Sequence, residues 1–127
     1  MDNIYIEATE RSPEIDFCFS EGTFSLKGES YPEDISETYE EAMGKLRDYL
    51  ESQLEREITF NFELIYFNSS SAKIIMTLFD MLDEAAESRQ VTLNWYYRED
   101  DDNMEEMGEE FGEDLEHATF NLVVKDG

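Results

Sequence analysis

Apolar residues along this chain switch repeatedly between a period of two and a period near 3.6, and that switching restricts the fold more than any single motif. Ile4 and Ile6 share one face of a short strand, and Ile15, Phe17 and Phe19 share the face of a second. Ser20-Glu21-Gly22-Thr23 then supplies turn residues before Phe24-Ser25-Leu26-Lys27-Gly28, which predicts an antiparallel hairpin. After Pro32 the stripe becomes helical through Ile35, Tyr39, Ala42, Met43, Leu46, Tyr49, Leu50 and Leu54, with Asp34 and Glu37 spaced as a capping pair. Alternation returns at Ile58, Phe60, Phe62, Leu64 and Tyr66. The unbroken apolar run from Leu64 to Phe67 reads as a central strand covered on both faces.

A second helix follows with Ile74, Ile75, Leu78, Phe79, Leu82 and Ala85, then a strand with Val91, Leu93, Trp95 and Tyr97. Met104, Met107, Phe111 and Leu115 mark a third helix, and Phe120, Leu122 and Val124 a last strand. The order β-β-β-α-β-α-β-α-β predicts an α/β fold. It would be a mixed β-sheet with an N-terminal β-hairpin, packed by three main helices that start near Asp34, Ser70 and Asn103. No linker or repeat interrupts residues 1–127, which therefore read as a single domain of a size that supports one core.

Charge narrows the partners. Asp and Glu number 33 against 9 Lys and Arg, a formal net charge of -24. Such a field repels phosphate backbones and anionic lipid heads, so neither nucleic acid nor a membrane is an expected partner. A saline-adapted host or a basic partner would each account for the acidity. The N-terminus has no basic region followed by an apolar run, and a lone cysteine suits a reducing compartment, so a cytoplasmic protein is expected.

The usual chemical groups are sparse. His117 has no Cys or second His nearby to build a metal site, and Cys18 sits on an apolar strand as a small core residue. With neither a Gly-rich phosphate loop nor a nucleophile elbow, no catalytic residue, metal or cofactor is expected. Residues 98–116 hold eleven acids and one base, and their periodic apolar residues make them an amphipathic helix with an acidic outer face. That face reads most plainly as solvated, and more sharply as a docking surface for a basic partner.

Three consecutive serines remain, in Tyr66-Phe67-Asn68-Ser69-Ser70-Ser71, where a strand turns into a helix. Ser69 or Ser70 would cap that helix. The same N-terminus concentrates about half a positive charge, so a hydroxyl there accepts phosphate without disrupting the fold.

The segments Gly28-Glu29-Ser30-Tyr31-Pro32-Glu33, Tyr66 to Lys73, Phe79-Asp80 and Trp95-Tyr96-Tyr97 resemble the SiaC family of bacterial regulatory phosphoproteins over nearly the whole chain. The resemblance implies a STAS-like fold, similar to anti-sigma-factor antagonists, and a non-enzymatic switch. The implied partners are a Ser/Thr protein kinase, a metal-dependent Ser/Thr phosphatase and a diguanylate cyclase. The unphosphorylated form would activate that cyclase, raising cyclic di-GMP and favouring biofilm or aggregation. In the family pattern the phosphorylated hydroxyl follows the Asn, here Ser69 after Asn68, with Ser70 as the alternative acceptor. Ser70 or Ser71 would then supply the cap. Asn68, Ser70, Ser71, Lys73, Tyr31 and Pro32 are the implied partner-binding residues. An anti-sigma-factor antagonist and a small-ligand-binding domain are the competing functions.

Overall fold

Each change of period becomes an element boundary in the computed structural model, which describes residues 2–52 and 56–125. The strands are β1 (Ile4–Ile6), β2 (Glu14–Cys18), β3 (Thr23–Ser30), β4 (Ile58–Phe67), β5 (Val91–Arg98) and β6 (Thr119–Lys125). The helices are α1 (Ile35–Glu51), α2 (Ser69–Ala85) and α3 (Asp102–Glu113), each starting within a residue of its expected position. Leu54, the last residue of the expected α1 stripe, lies outside the described residues.

All six strands form one sheet in chain order, β1-β2-β3-β4-β5-β6. The first three pair antiparallel and β3 to β6 pair parallel, so the sheet is mixed and the predicted hairpin is β2–β3. Neighbouring parallel strands joined by crossovers of one hand place every connecting helix on the same face. That face is the core: Phe24 and Leu26, Phe60 and Phe62, Leu93 and Trp95 all point into it and are buried. The opposite face carries polar ladders instead. Asn94 Nδ2 donates to Asn61 Oδ1 at 2.9 Å and Asn121 Nδ2 to Asn94 Oδ1 at 3.0 Å, across strands whose register pairs these residues. Lys27 and Lys125 both reach Glu63 on that side, at 3.4 and 3.1 Å.

One expectation fails at the end of β4. Ile58, Phe60, Phe62 and Leu64 are buried in alternation, but Ile65 is 59% exposed and Tyr66 51% exposed. The pairing with β3 explains this: Gly28 faces Leu64 and Glu29 faces Tyr66, leaving Ile65 as an extra residue. A bulge of one residue reverses the phase of everything after it, so Tyr66 turns outward and Phe67 inward. Gly28 sits there at φ +121, a conformation that favours glycine.

Helix α3 lies unusually close to β5 and β6 through Gly108 and Gly112. A Cβ on Gly108 would stand 2.5 Å from Trp95 Cδ1, and one on Gly112 2.6 Å from the Phe120 ring. Trp95 Nε1 donates to the Met104 carbonyl at 2.9 Å, which fixes the helix over the indole. The loop after α3 is tied to α2 by Asp83, whose carboxylate accepts from the N–H groups of Glu116, His117 and Ala118. Partial burial raises the Asp83 pKa, but these three donors outweigh it and hold the carboxyl below its usual range.

Four side chains sit differently from their expected places. Cys18 points to the polar face, half-buried with Sγ 3.4 Å from Ser20 Oγ, because Phe17 and Phe19 take the core side of that strand. Met107 is exposed, since Gly108 rather than Met107 occupies the contact with the sheet. Leu122 and Val124 are also exposed, because β6 is an edge strand that α3 covers only in part. His117 is half-exposed, with Nε2 4.0 Å from Glu87 and Glu116 carboxylates.

Candidate functional site

A single residue, Asn68, separates the end of β4 from the start of α2. Its backbone is extended and its Oδ1 accepts from the Ser71 N–H at 2.9 Å, so Asn68 is the N-cap. This corrects the expectation that one of the serines caps the helix. Asn and Ser are equally good caps, and the first of several candidates took the position. The helix consequently begins at Ser69, one residue earlier than expected, and Ser69 lies in its first turn rather than in the connection.

The three serines then have different fates set by the helical turn. Ser71 points inward and is buried. Its Oγ lies 2.6 Å from Ser30 Oγ and donates to the Ser30 carbonyl at 2.8 Å, while Ser30 Oγ lies 2.5 Å from the Tyr39 hydroxyl. Each hydroxyl has one proton, so a single arrangement satisfies all three contacts. Tyr39 donates to Ser30 Oγ, Ser30 donates to Ser71 Oγ, and Ser71 donates to the Ser30 carbonyl. The Ser30 carbonyl also accepts from the Asn68 N–H at 3.0 Å. This clasp joins the end of β3, the body of α1 and the first turn of α2. Burial pushes the Tyr39 phenol up to about 12.

Ser69 and Ser70, by contrast, are exposed. Four N–H groups open any helix without intrahelical partners. Here Asn68 N–H is taken by Ser30 and Ser71 N–H by the cap, whereas among the described residues those of Ser69 and Ser70 have no protein acceptor. Helices α1 and α3 carry acidic residues in their first turns, Glu37 in one and Asp102 and Glu105 in the other; α2 carries none. In so acidic a chain this leaves one helix start where added negative charge meets free amides and no resident carboxylate. Lys73, one turn further along and exposed, makes no salt bridge among the described residues.

The corner has an apolar border. The Tyr31 and Tyr66 rings meet edge to face with centroids 5.8 Å apart, and Ile65 is exposed beside Tyr66. Ser30 pairs with Phe67, so Tyr31, just past Ser30, arrives next to the corner, and half-buried Pro32 follows it. The corner itself thus holds Asn68, Ser69 and Ser70, with Tyr31 packed on Tyr66 before it and Lys73 one turn into α2, while Ser71 is withdrawn into the clasp. Ile65, Tyr66, Ser30 and Tyr39 were not among the expected site residues. Gly28, a lone glycine inside a strand, was the one signal of the bulge that exposes Ile65 and Tyr66.

Comparison with known proteins gives a consistent result. An uncharacterised protein of Pseudomonas aeruginosa strain UCBPP-PA14 is 34% identical over 118 residues, covering 90% of each chain. The structure of apo-SiaC from Pseudomonas aeruginosa superposes with a TM-score of 0.88 at 32% identity, covering 98% of this chain and 100% of that one. A structure of the diguanylate cyclase SiaD in complex with its activator SiaC, also from Pseudomonas aeruginosa, matches with a TM-score of 0.86 at 30% identity, covering 94% of this chain and 98% of the other. With residues 6–125 matching the model of that family as well, the chain belongs to the SiaC family of regulatory phosphoproteins.

Proposed function

We propose that this protein is a switch operated by a phosphate on Ser69, and that its unphosphorylated corner docks on and activates a diguanylate cyclase. The observation that carries this reading is the pairing of an exposed Ser69 hydroxyl with two free N–H groups at an acid-free helix start. A kinase reaches Ser69 without unfolding α2. The product phosphate carries about -1.5 to -2 charges, and the free amides, the helix dipole and Lys73 are placed to hold it. The fold therefore survives modification, and the change falls on the surface. Ser71 is unsuited to modification because its oxygen is buried and engaged at both ends.

Docking uses the apolar border. Tyr31, Tyr66 and Ile65 supply the kind of exposed aromatic and aliphatic surface that anchors an interface, and the phosphate would sit beside it. A cyclase surface packed against bare Ser69 and Asn68 would meet a desolvated dianion after phosphorylation, and would release. A Ser/Thr kinase and a metal-dependent phosphatase set the balance of the two forms, from the cytoplasm. The test is calorimetric titration of the cyclase with Ser69→Ala, Ser69→Asp and Tyr66→Ala. Ser69→Ala should bind as the unmodified protein does, and Ser69→Asp and Tyr66→Ala should each bind about tenfold or more weakly. Equal affinity for Ser69→Ala and Ser69→Asp would remove the switch from this corner.

A further inference from the structure

The two edges of the sheet are unequal. β1 contributes three residues, whereas β6 contributes seven, and among the described residues no strand pairs with its outer side. Its outward N–H and C=O groups form a row ready to accept another strand. Two common protections are missing from it: β6 has no proline, and its register with β5 runs without a bulge from Thr119 to Lys125, whose side chain, the one charge on the strand, pairs with Glu63. Leu122 and Val124 are 36% and 49% exposed on it.

Beside this edge α3 forms a groove of about 750 Å³, with Phe120 and Leu122 as its floor and Glu106, Glu109, Glu110 and Glu113 along its wall. All four carboxylates belong to exposed residues, and none makes a salt bridge among the described residues. A bare strand of this length would ordinarily pair with a second copy of itself. Antiparallel pairing of β6 with β6 about a two-fold axis would put both α3 helices on the same face, bringing the two glutamate rows together. In a chain of net charge -24 that contact is repelled, so the wall argues against a second copy. The same wall selects an incoming strand of opposite charge.

We propose that the β6–α3 groove binds an extended basic segment of a partner protein as a seventh strand, with Lys or Arg at every second position. Side chains that alternate onto the helix side of such a strand lie beside Phe120 and Leu122 and under the glutamates. Long basic side chains suit both demands, since their alkyl stems cover the apolar floor while their heads reach the carboxylates. The backbone ladder supplies affinity, and the spacing of the charges supplies register. This site stands two strands away from the serine corner and does not depend on it.

The probe is a synthetic eight-residue peptide of alternating Lys and Thr, titrated into the full chain at physiological ionic strength, with hydrogen exchange read residue by residue. Binding should slow exchange of the alternating β6 amides that point away from β5. The double variant Glu106→Lys/Glu110→Lys should weaken binding about tenfold or more. Glu10→Lys/Glu40→Lys, which changes the net charge equally at exposed positions elsewhere, should alter it less than about twofold. A peptide of alternating Lys and Pro carries the same charge but loses every second ladder donor and is held off the ladder by its rings, so it should bind at least about tenfold more weakly. The proposal is overturned by no binding of the Lys-Thr peptide, by binding without protection of β6, by equal losses in the two double variants, or by equal affinity for the Lys-Pro peptide.

Discussion

Alanine substitutions at the corner should rank Ser71 above Asn68 and Asn68 above Ser70 in their cost to stability. Ser71→Ala removes one oxygen that accepts from Ser30 Oγ at 2.6 Å and donates to the Ser30 carbonyl at 2.8 Å, both buried. The Ser30 carbonyl keeps the Asn68 N–H, but the Ser30–Tyr39 hydroxyl pair is left with two protons and one contact, so one buried proton loses its acceptor. Two hydrogen bonds at about 1 kcal/mol each, with about 1 kcal/mol more for the unpaired proton, then set the loss at about 3 kcal/mol. Asn68→Ala removes only the cap to Ser71 N–H, about 1 kcal/mol. Ser70 is exposed and its side chain makes no hydrogen bond among the described residues, so Ser70→Ala should stay within about 0.5 kcal/mol of the parent. For a chain of 127 residues, about 1 kcal/mol corresponds to about 4 °C in Tm, so the three shifts are separable by calorimetry. A loss at Ser70→Ala equal to that at Asn68→Ala would mean that the serine caps the helix after all. No loss at Ser71→Ala would mean that the clasp contributes nothing.

Two further predictions concern the core. The Tyr39 phenol, raised by burial to about 12 against 10.0 for a free tyrosine, ionises in the unfolded chain before it does in the folded one. Its share of stability is therefore complete below pH 10 and lost as pH rises towards 12, a fall of about 2–3 kcal/mol. Urea titrations of the parent and Tyr39→Phe should show that extra alkaline loss in the parent alone, and parallel curves would refute it. Gly108→Ala would gain about 1 kcal/mol of helix propensity but drives a methyl to 2.5 Å from the buried Trp95 ring, so the net result should be a loss of about 1–2 kcal/mol. Stabilisation in thermal melts would show that α3 can lift off the sheet at no cost.

How far the sequence anticipates the structure depends on the range of the signal. Periodicity is local, and it places the β2–β3 hairpin, the three helices and the strand order of elements along the chain. It does not report a strand's place in the sheet, so β6 looks like any half-buried strand in sequence, although its Leu122 and Val124 lie on a free edge. A bulge also defeats it. Ile65 adds one residue, and Tyr66 and Phe67 exchange faces while their composition stays that of a covered strand. At the corner the serines were conspicuous, but Asn68 preceded them with the same capping ability, and propensity alone cannot place a helix start to one residue. The clasp was out of reach for a different reason. Ser30 and Ser71 meet across 41 residues, and nothing in either neighbourhood announces the other.

The central claim is that Ser69 carries the phosphate that sets the switch. Phosphopeptide mapping by tandem mass spectrometry, after treatment of the full chain with the proposed Ser/Thr kinase and ATP, tests it most directly. One phosphate on Ser69, with Ser71 unmodified and Ser69→Ala refusing phosphate, is the predicted result. Phosphate confined to Ser70 or Ser71, or no phosphate anywhere on the chain, would contradict it.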